Sequence, residues 1–445
     1  MIRLHCKAQT YHWGKTGLDT LVGKAYLASV PSLPESAELY EAADQEHYAE
    51  LWIGDHPSGP AEILVNHEDA QMASIIADEG FLKHYHHKDI EISHLFKLNP
   101  GRFLGHKYIE HFGQKNPKLQ NSMAFLFKLL AVEKALSIQA HPHKSLAEQL
   151  HKEHPEIYKD DNHKPEIAIA LGDDFMALFG FLSPEKLALN FKQNKALSEV
   201  FSYTESTVID ADFLKGCVKH MFYELDKDLE NLQGITTVLQ HEITAIPESD
   251  RSLHQSLFLT LLSQYGPQDI GLIFSFFFNI FNLKRDEAVV ITPNEPHAYI
   301  RGDLVECMAN SDNVVRGGLT PKLKDKETLY HMLPYDTLTV ERAPVRGVPL
   351  FESAGGSSVV EYKTGFEEFR VIKVQASKGD EGVRVRYNTF SMVIVIGGKG
   401  TVEFKEYGMF TIEAYQAYYV MPEQEFAVKA EQDEPLVMFI ANCDI

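Results

Sequence analysis

The segment Ser137-Ile-Gln139-Ala-His141-Pro-His143 alternates polar and apolar residues. In an extended chain this period of two puts Ser137, Gln139 and His141 on one face, and Leu136, Ile138 and Ala140 on the other. Such a polar face has two outlets. It can form a stripe open to solvent, or it can look into a small barrel, where an unpaired polar group costs roughly 2–7 kcal/mol and a metal ion is one partner that satisfies it. Two further segments offer donors of the matching kind. In Asn162-His-Lys-Pro-Glu166, Pro165 presets an extended or turn conformation ahead of a carboxylate. In Thr292-Pro-Asn-Glu-Pro-His297-Ala-Tyr299, two prolines fix the loop that carries an imidazole. Gln139, His141, Glu166 and His297 together would make a nitrogen and oxygen set with one anionic ligand, suited to Zn²⁺ and adaptable to other borderline divalent metals.

The elements that must position these groups follow from patterning. Ala25-Tyr26-Leu27, Leu51-Trp52-Ile53 and Ala61 to Val65 are short apolar runs between turn residues and predict strands. Pro31 to Glu50 is polar and acidic and reads as a loop or short helix. Ala124 to Leu130 is an apolar run broken only by Lys128. Ser145-Leu-Ala-Glu148 fits a capping box, and Ser183-Pro184 fits a second helix start. From Ser145 to about Leu283 the pattern is helical, with Ile270 to Leu283 read as one buried helix. Strands return at Ala288–Ile291 and Ala298–Ile300, then at Phe369–Val374, Met392–Ile396, Thr401–Phe404 and Tyr418–Met421. Gly397, Gly398 and Gly400 mark a tight hairpin turn.

At 445 residues the chain is about three domain lengths. Asp and Glu outnumber Lys and Arg 63 to 42, for a net charge of −21. Such a surface repels nucleic acid and anionic lipid, and a phosphorylated metabolite would need local cations to override it. Four scattered cysteines without a CxxC pair, and an N-terminus that reads without a signal peptide, predict a reducing, cytoplasmic location. Ile270 to Leu283 is too short to span a bilayer.

Seven motifs stand in order: Tyr11-His-Trp13-Gly-Lys15, Ala49-Glu50-Leu-Trp52-Ile-Gly54-Asp-His-Pro57, Phe125-Leu-Phe-Lys128, Leu136-Ser-Ile-Gln-Ala-His-Pro142, Asn162-His-Lys-Pro-Glu166, Glu295-Pro-His-Ala-Tyr299 and Met308-Ala-Asn-Ser-Asp-Asn-Val-Val-Arg-Gly-Gly-Leu-Thr-Pro-Lys322. With Glu367-Glu368-Phe369 and the C-terminal strands, nearly the whole chain resembles the type I phosphomannose isomerases. The resemblance implies a mainly β fold: a catalytic cupin jelly roll at 1–149 and 285–330, an inserted helical domain at 150–284 and a C-terminal cupin-like domain at 331–445. It implies one Zn²⁺ per chain on Gln139, His141, Glu166 and His297. It also implies interconversion of mannose 6-phosphate and fructose 6-phosphate through a cis-enediol, supplying mannose 6-phosphate for GDP-mannose synthesis, in a monomer with no nucleic-acid or membrane partner.

The family's active-site positions fall on Trp13, Glu50, Lys128, Ser137, Lys164, Tyr299, Asp312, Arg316 and Lys322. Lys164 or Asp312 would be the base, with Glu50 and Lys128 carrying protons in support. Arg316 and Lys322 would hold the phosphate with Ser137, Arg316 as a planar fork and Lys322 as a point charge. Gly317-Gly318 would let the backbone turn closely around the ligand. Two positions depart from the family pattern. His143 stands where Asn or Asp is usual, and either approaches the metal or is an exposed loop histidine. Lys284-Arg285 replaces a Pro-Gly at the hairpin carrying His297. His84, His86 and His87 read as a solvated helix end, Trp52 and Tyr40 as core, and Cys307 as buried and inert. A non-catalytic double-cupin protein binding metal or sugar is the competing class; it has little use for the lysines, Asp312 and Arg316 beside the ligand set.

Overall fold

Phe125–Val132 shows how a period of two chooses faces in this protein. Phe125, Phe127, Leu129 and Ala131 enter one hydrophobic core, while Leu126, Leu130 and Val132 turn to the opposite side with Lys128. The computed structural model describes residues 1–30, 37–63, 90–337 and 343–445. Among these, the central sheet runs Val345–Arg346, Glu287–Ile291, Glu166–Ala170, His297–Ala309, Phe125–Val132, Glu50–Ile53 and Lys7–Gln9. Its spine is the 13-residue strand His297–Ala309. That strand also pairs with Phe175–Phe181, and through His297 with Ile138–Ala140, which in turn pairs with Val315–Gly318. It serves so many neighbours because it bends at Gly302, whose φ is +112° and where a Cβ would lie 2.6 Å from Phe175 Cα.

A nine-stranded antiparallel sheet packs against the core-facing side. Ile2–His5, Glu62–Ile63 and Ile90–Glu91 join strands drawn from residues 348–442. Adjacent residues of Arg370–Ala376 go to different cores: Val371 joins the core that holds Phe125 and Phe127, whereas Ile372 and Val374 join the one that holds Val402, Phe404 and Val428 on the far side. That far side is covered by a four-stranded sheet. A separate core gathers Phe191, Phe222, Phe258, Phe274, Phe276 and Phe277 among the helices, and Ile138 and Ala140 dock into it. Among the described residues no helix is long and apolar enough to cross a membrane.

Several expectations are corrected. Ala25-Tyr26-Leu27 lies in the helix Leu21–Ser29, which Thr20 caps by accepting the Gly23 N–H. The helical block is interrupted by the strands Glu166–Ala170 and Phe175–Phe181. Ile270 to Leu283 divides into a helical turn Gly271–Phe274, a tighter turn Ser275–Phe277 and the strand Phe278–Leu283, which pairs along Phe175–Phe181. An apolar run without periodicity suits helix or strand, and here sheet pairing decides. The helix after Pro142 starts at Lys144, and its cap is His143, whose Nδ1 accepts the Leu146 N–H, not Ser145. Ser183 and Pro184 do open a helix. Gly398 turns a corner between sheets: Ser391–Gly397 belongs to the nine-stranded sheet and Lys399–Phe404 to the four-stranded one. Leu64, Val65, His84, His86 and His87 lie outside the described residues.

Candidate active site

Register assembles the proposed ligand set. His297 is the direct cross-strand partner of Gln139, and Glu166 opens its strand between Ile291 and Met308. Glu166 Oε1 lies 3.3 Å from His141 Nε2, and Glu166 Oε2 lies 3.4 Å from His297 Nε2. Gln139 Nε2 lies 3.4 Å from the same His297 nitrogen. A half-turn of the amide, which leaves its shape unchanged, would present its oxygen there instead. Both histidines spend their other nitrogen on backbone: His141 Nδ1 is 2.7 Å from the Asn313 carbonyl and His297 Nδ1 is 3.0 Å from the Glu295 carbonyl. That fixes the Nδ1–H tautomer and leaves both Nε2 lone pairs facing the carboxylate, the outer-shell arrangement of metal-binding imidazoles.

The donor set fits a divalent cation. His141, Glu166 and His297 are buried with ligand atoms all within 4.8 Å of one another, and His141 Nε2 and Glu166 Oε2 are sealed from water without a hydrogen-bond partner. Burial lowers the His141 imidazole to about 4, so it is neutral at pH 7. Burial works against the Glu166 carboxylate, but neighbouring positive charge, that of Lys164 included, outweighs it and holds the group well below the usual carboxylate range. A neutral imidazole beside an ionised carboxylate is the ligating state of both.

Above this floor opens a cavity of about 270 Å³. Trp13, Glu50, Lys128, Ser137, Gln139, Lys164, Glu166, Tyr299, Asp312, Arg316 and Lys322 all line it. One wall is a buried charge cluster. Lys128 Nζ sits 3.1 Å from Glu50 Oε2 and 3.2 Å from Glu306 Oε2, and Trp52 Nε1 donates to Glu50 Oε2 at 2.6 Å. Burial pulls the Lys128 pKa down, but Glu50, Glu306 and Glu166 together push it above its ordinary value, so this ammonium keeps its proton. Lys164 Nζ is 3.5 Å from Glu166 Oε1. The Tyr299 hydroxyl is buried without a hydrogen-bond partner among the described residues.

Two cations complete the lining. Among the described residues the Arg316 guanidinium and the Lys322 ammonium have no ion-pair partner. Burial lowers the Arg316 pKa, the mark of a shielded cation without a counter-charge. Asp312 lies opposite His56, whose Nε2 is 3.3 Å from Asp312 Oδ1. Gly317 and Gly318 serve the scaffold rather than the ligand: a Cβ on Gly318 would lie 2.5 Å from Gly271 Cα, and one on Gly317 would strike Leu329. Asp269 then ties the turn by accepting the Leu319 and Thr320 N–H groups.

His143 does not approach the ligand set; it caps its helix and lines a separate outer groove. Trp52 is buried as expected but also lines the cavity, and Tyr40 is exposed rather than core. Cys307 is buried, which pushes its thiol up. Glu306, His56 and Trp52 are the groups sequence reasoning missed. Glu306 had a signal, a lone charge in Leu304-Val-Glu-Cys-Met308, the mirror of Lys128 in its own apolar run.

Comparison with known proteins points one way. A family model described as phosphomannose isomerase type I, catalytic domain, matches residues 1–100 and 103–183. The chain is 32% identical to a mannose-6-phosphate isomerase of Schizosaccharomyces pombe over 100% of both chains. It is 36% identical to mannose-6-phosphate isomerase 2 of Arabidopsis thaliana, over 89% of this chain and 84% of the relative. A Salmonella typhimurium mannose 6-phosphate isomerase, solved with fructose 6-phosphate and zinc, superposes with a TM-score of 0.75 at 21% identity, over 100% of both chains.

Proposed function

The chain belongs to the type I phosphomannose isomerase family, and on that premise we propose that it interconverts D-mannose 6-phosphate and D-fructose 6-phosphate. One zinc ion per chain would be held by Gln139, His141, Glu166 and His297. Bound there, zinc supplies a Lewis acid for negative charge on the sugar oxygens.

The chain's own residues do the rest. On a protein of net charge −21, a dianionic substrate has to be drawn in by local cations. Arg316 and Lys322, both without a counter-ion among the described residues, take the phosphate, and Ser137 adds a hydroxyl. Asp312 is the base. A hydrogen bond from His56 is the largest influence holding its carboxylate below its ordinary value, so it is ionised and free to accept the C2 proton. It returns that proton to C1 of the cis-enediol, and the reverse sequence runs from fructose 6-phosphate. Lys164, paired to Glu166, gives a proton to O1 as the cis-enediol forms and takes one back from O2 as C1 is protonated, so it ends in its starting state. Lys128, locked between Glu50 and Glu306, is a fixed positive charge rather than a shuttle. Trp13 and Tyr299 wall the cavity and exclude water.

We read the architecture as two cupin jelly-roll units, at 1–149 with 285–330 and at 331–445, around an insertion at 150–284 whose strands Glu166–Ala170 and Phe175–Phe181 pair into the catalytic sheet. The enzyme would work as a cytoplasmic monomer supplying mannose 6-phosphate for GDP-mannose. The observation that carries this reading is a buried metal-type donor set that reaches the cavity through Gln139 and Glu166, beside two cavity-lining cations without an ion-pair partner among the described residues. A coupled assay tests it: mannose 6-phosphate should be consumed with stoichiometric appearance of fructose 6-phosphate, whereas unphosphorylated mannose should react far more slowly. No turnover of zinc-loaded protein would remove the proposal.

A further inference from the structure

His56 is a buried imidazole, 5% exposed, outside the metal-type donor set. Its ring is held on three sides. The Ser58 backbone N–H donates to Nδ1 at 3.2 Å, so Nδ1 is a lone pair and the neutral ring carries its proton on Nε2. The Trp52 indole meets it edge to face, with centroids 4.9 Å apart and planes at 82°. Nε2 then faces the Asp312 carboxylate at 3.3 Å. Trp52 is itself anchored on Glu50, and Glu50 on Lys128, so the ring's support reaches back to the rigid sheet.

Asp312 is fixed from a second direction. Its backbone N–H donates to Asp160 Oδ2 at 2.7 Å, and the same aspartate accepts from Ser311 and Asn313. The backbone is pinned, yet the half-exposed carboxylate has only His56 to set its rotation among the described residues. We propose that His56 is a positioning residue of the isomerase, orienting the Asp312 carboxylate through its Nε2–H. The inference rests on the reading of Asp312 as the base. Among the described residues the charged and titratable groups facing the pair are Lys164, Lys128, Tyr11 and Asp160 around Asp312, and Asp55 beside His56.

The test uses the zinc-loaded full chain and the variants H56A, H56Q and D312N. H56A should lower kcat about 10–100-fold, with KM within about twofold and zinc content unchanged. Because the carboxylate loses its donor, the acid limb of kcat/KM should move to higher pH by about one unit. H56Q, whose amide can still donate, should recover part of both effects; circular dichroism of this variant guards against misfolding. In a D312N background H56A should cost nothing further. An inactive D312N beside an H56A variant with normal kcat and an unmoved acid limb overturns the role of His56 alone. So does an H56A effect that persists undiminished in D312N, which marks a merely structural residue. A wild-type chain that does not convert mannose 6-phosphate overturns the underlying assignment instead.

Discussion

Lys128 and Glu306 are direct cross-strand partners, with Nζ 3.2 Å from Oε2 and both side chains buried. Glu50 completes the cluster at 3.1 Å from the same ammonium, leaving two carboxylates for one buried cation. Burial raises the Glu306 pKa, and Lys128 is the charge that opposes it.

Lys128→Met should therefore strand two buried carboxylates and destabilise the fold by about 3–5 kcal/mol. Urea unfolding measures it, and turnover should fall with it. A loss below about 1 kcal/mol, the range of a surface pair, would mean that the cluster is solvated.

Arg316→Lys keeps the charge and loses the planar fork. We expect kcat/KM for mannose 6-phosphate to fall at least about tenfold, or ~1.4 kcal/mol, with bound zinc unchanged. Arg316→Ala should fall further. If Arg316→Lys is indistinguishable from wild type, Lys322 is the main phosphate anchor.

Asp312→Asn removes the base while keeping shape, and should lower kcat by about 10²–10⁴-fold. Deuterium uptake from heavy water at C2 of recovered mannose 6-phosphate should fall in parallel. Lys164→Ala should slow turnover too, but retain a larger share of that exchange. The opposite ranking would transfer the base to Lys164.

The pH dependence of the metal-stripped protein follows from His141, which burial lowers from 6.5 to about 4. As pH falls below about 6.5 the unfolded chain takes up a proton that the folded chain refuses, so stability is full above that pH. It is lost progressively down to about 4, a loss on the order of 3 kcal/mol. Urea midpoints at pH 7 and pH 4.5 should show the drop, and it should shrink in His141→Asn. Equal drops in both proteins would contradict the assignment.

How much of this was legible in the sequence depended on whether the signal was local. The alternation Ser137, Gln139, His141 is a property of one strand, and the structure places Ile138 and Ala140 in the helical core with Gln139 on the cavity. Ile270 to Leu283 carried no period, and only its pairing with Phe175–Phe181 made half of it a strand. Gly318 looked like room for a ligand because a sequence does not show that Gly271 comes within 2.5 Å of its would-be Cβ. His56 escaped notice for a similar reason: its partner Asp312 lies 256 positions away, and only the fold brings the two within 3.3 Å.

In the proposed mechanism one metal on Gln139, His141, Glu166 and His297 carries the isomerisation. Titrating zinc into chelator-stripped protein while measuring turnover of mannose 6-phosphate tests it most directly. Turnover should rise from near zero and level off at one zinc per chain, and His297→Ala should neither hold zinc nor respond. Full turnover of the stripped protein, or a zinc-loaded His297→Ala as active as wild type, would contradict it.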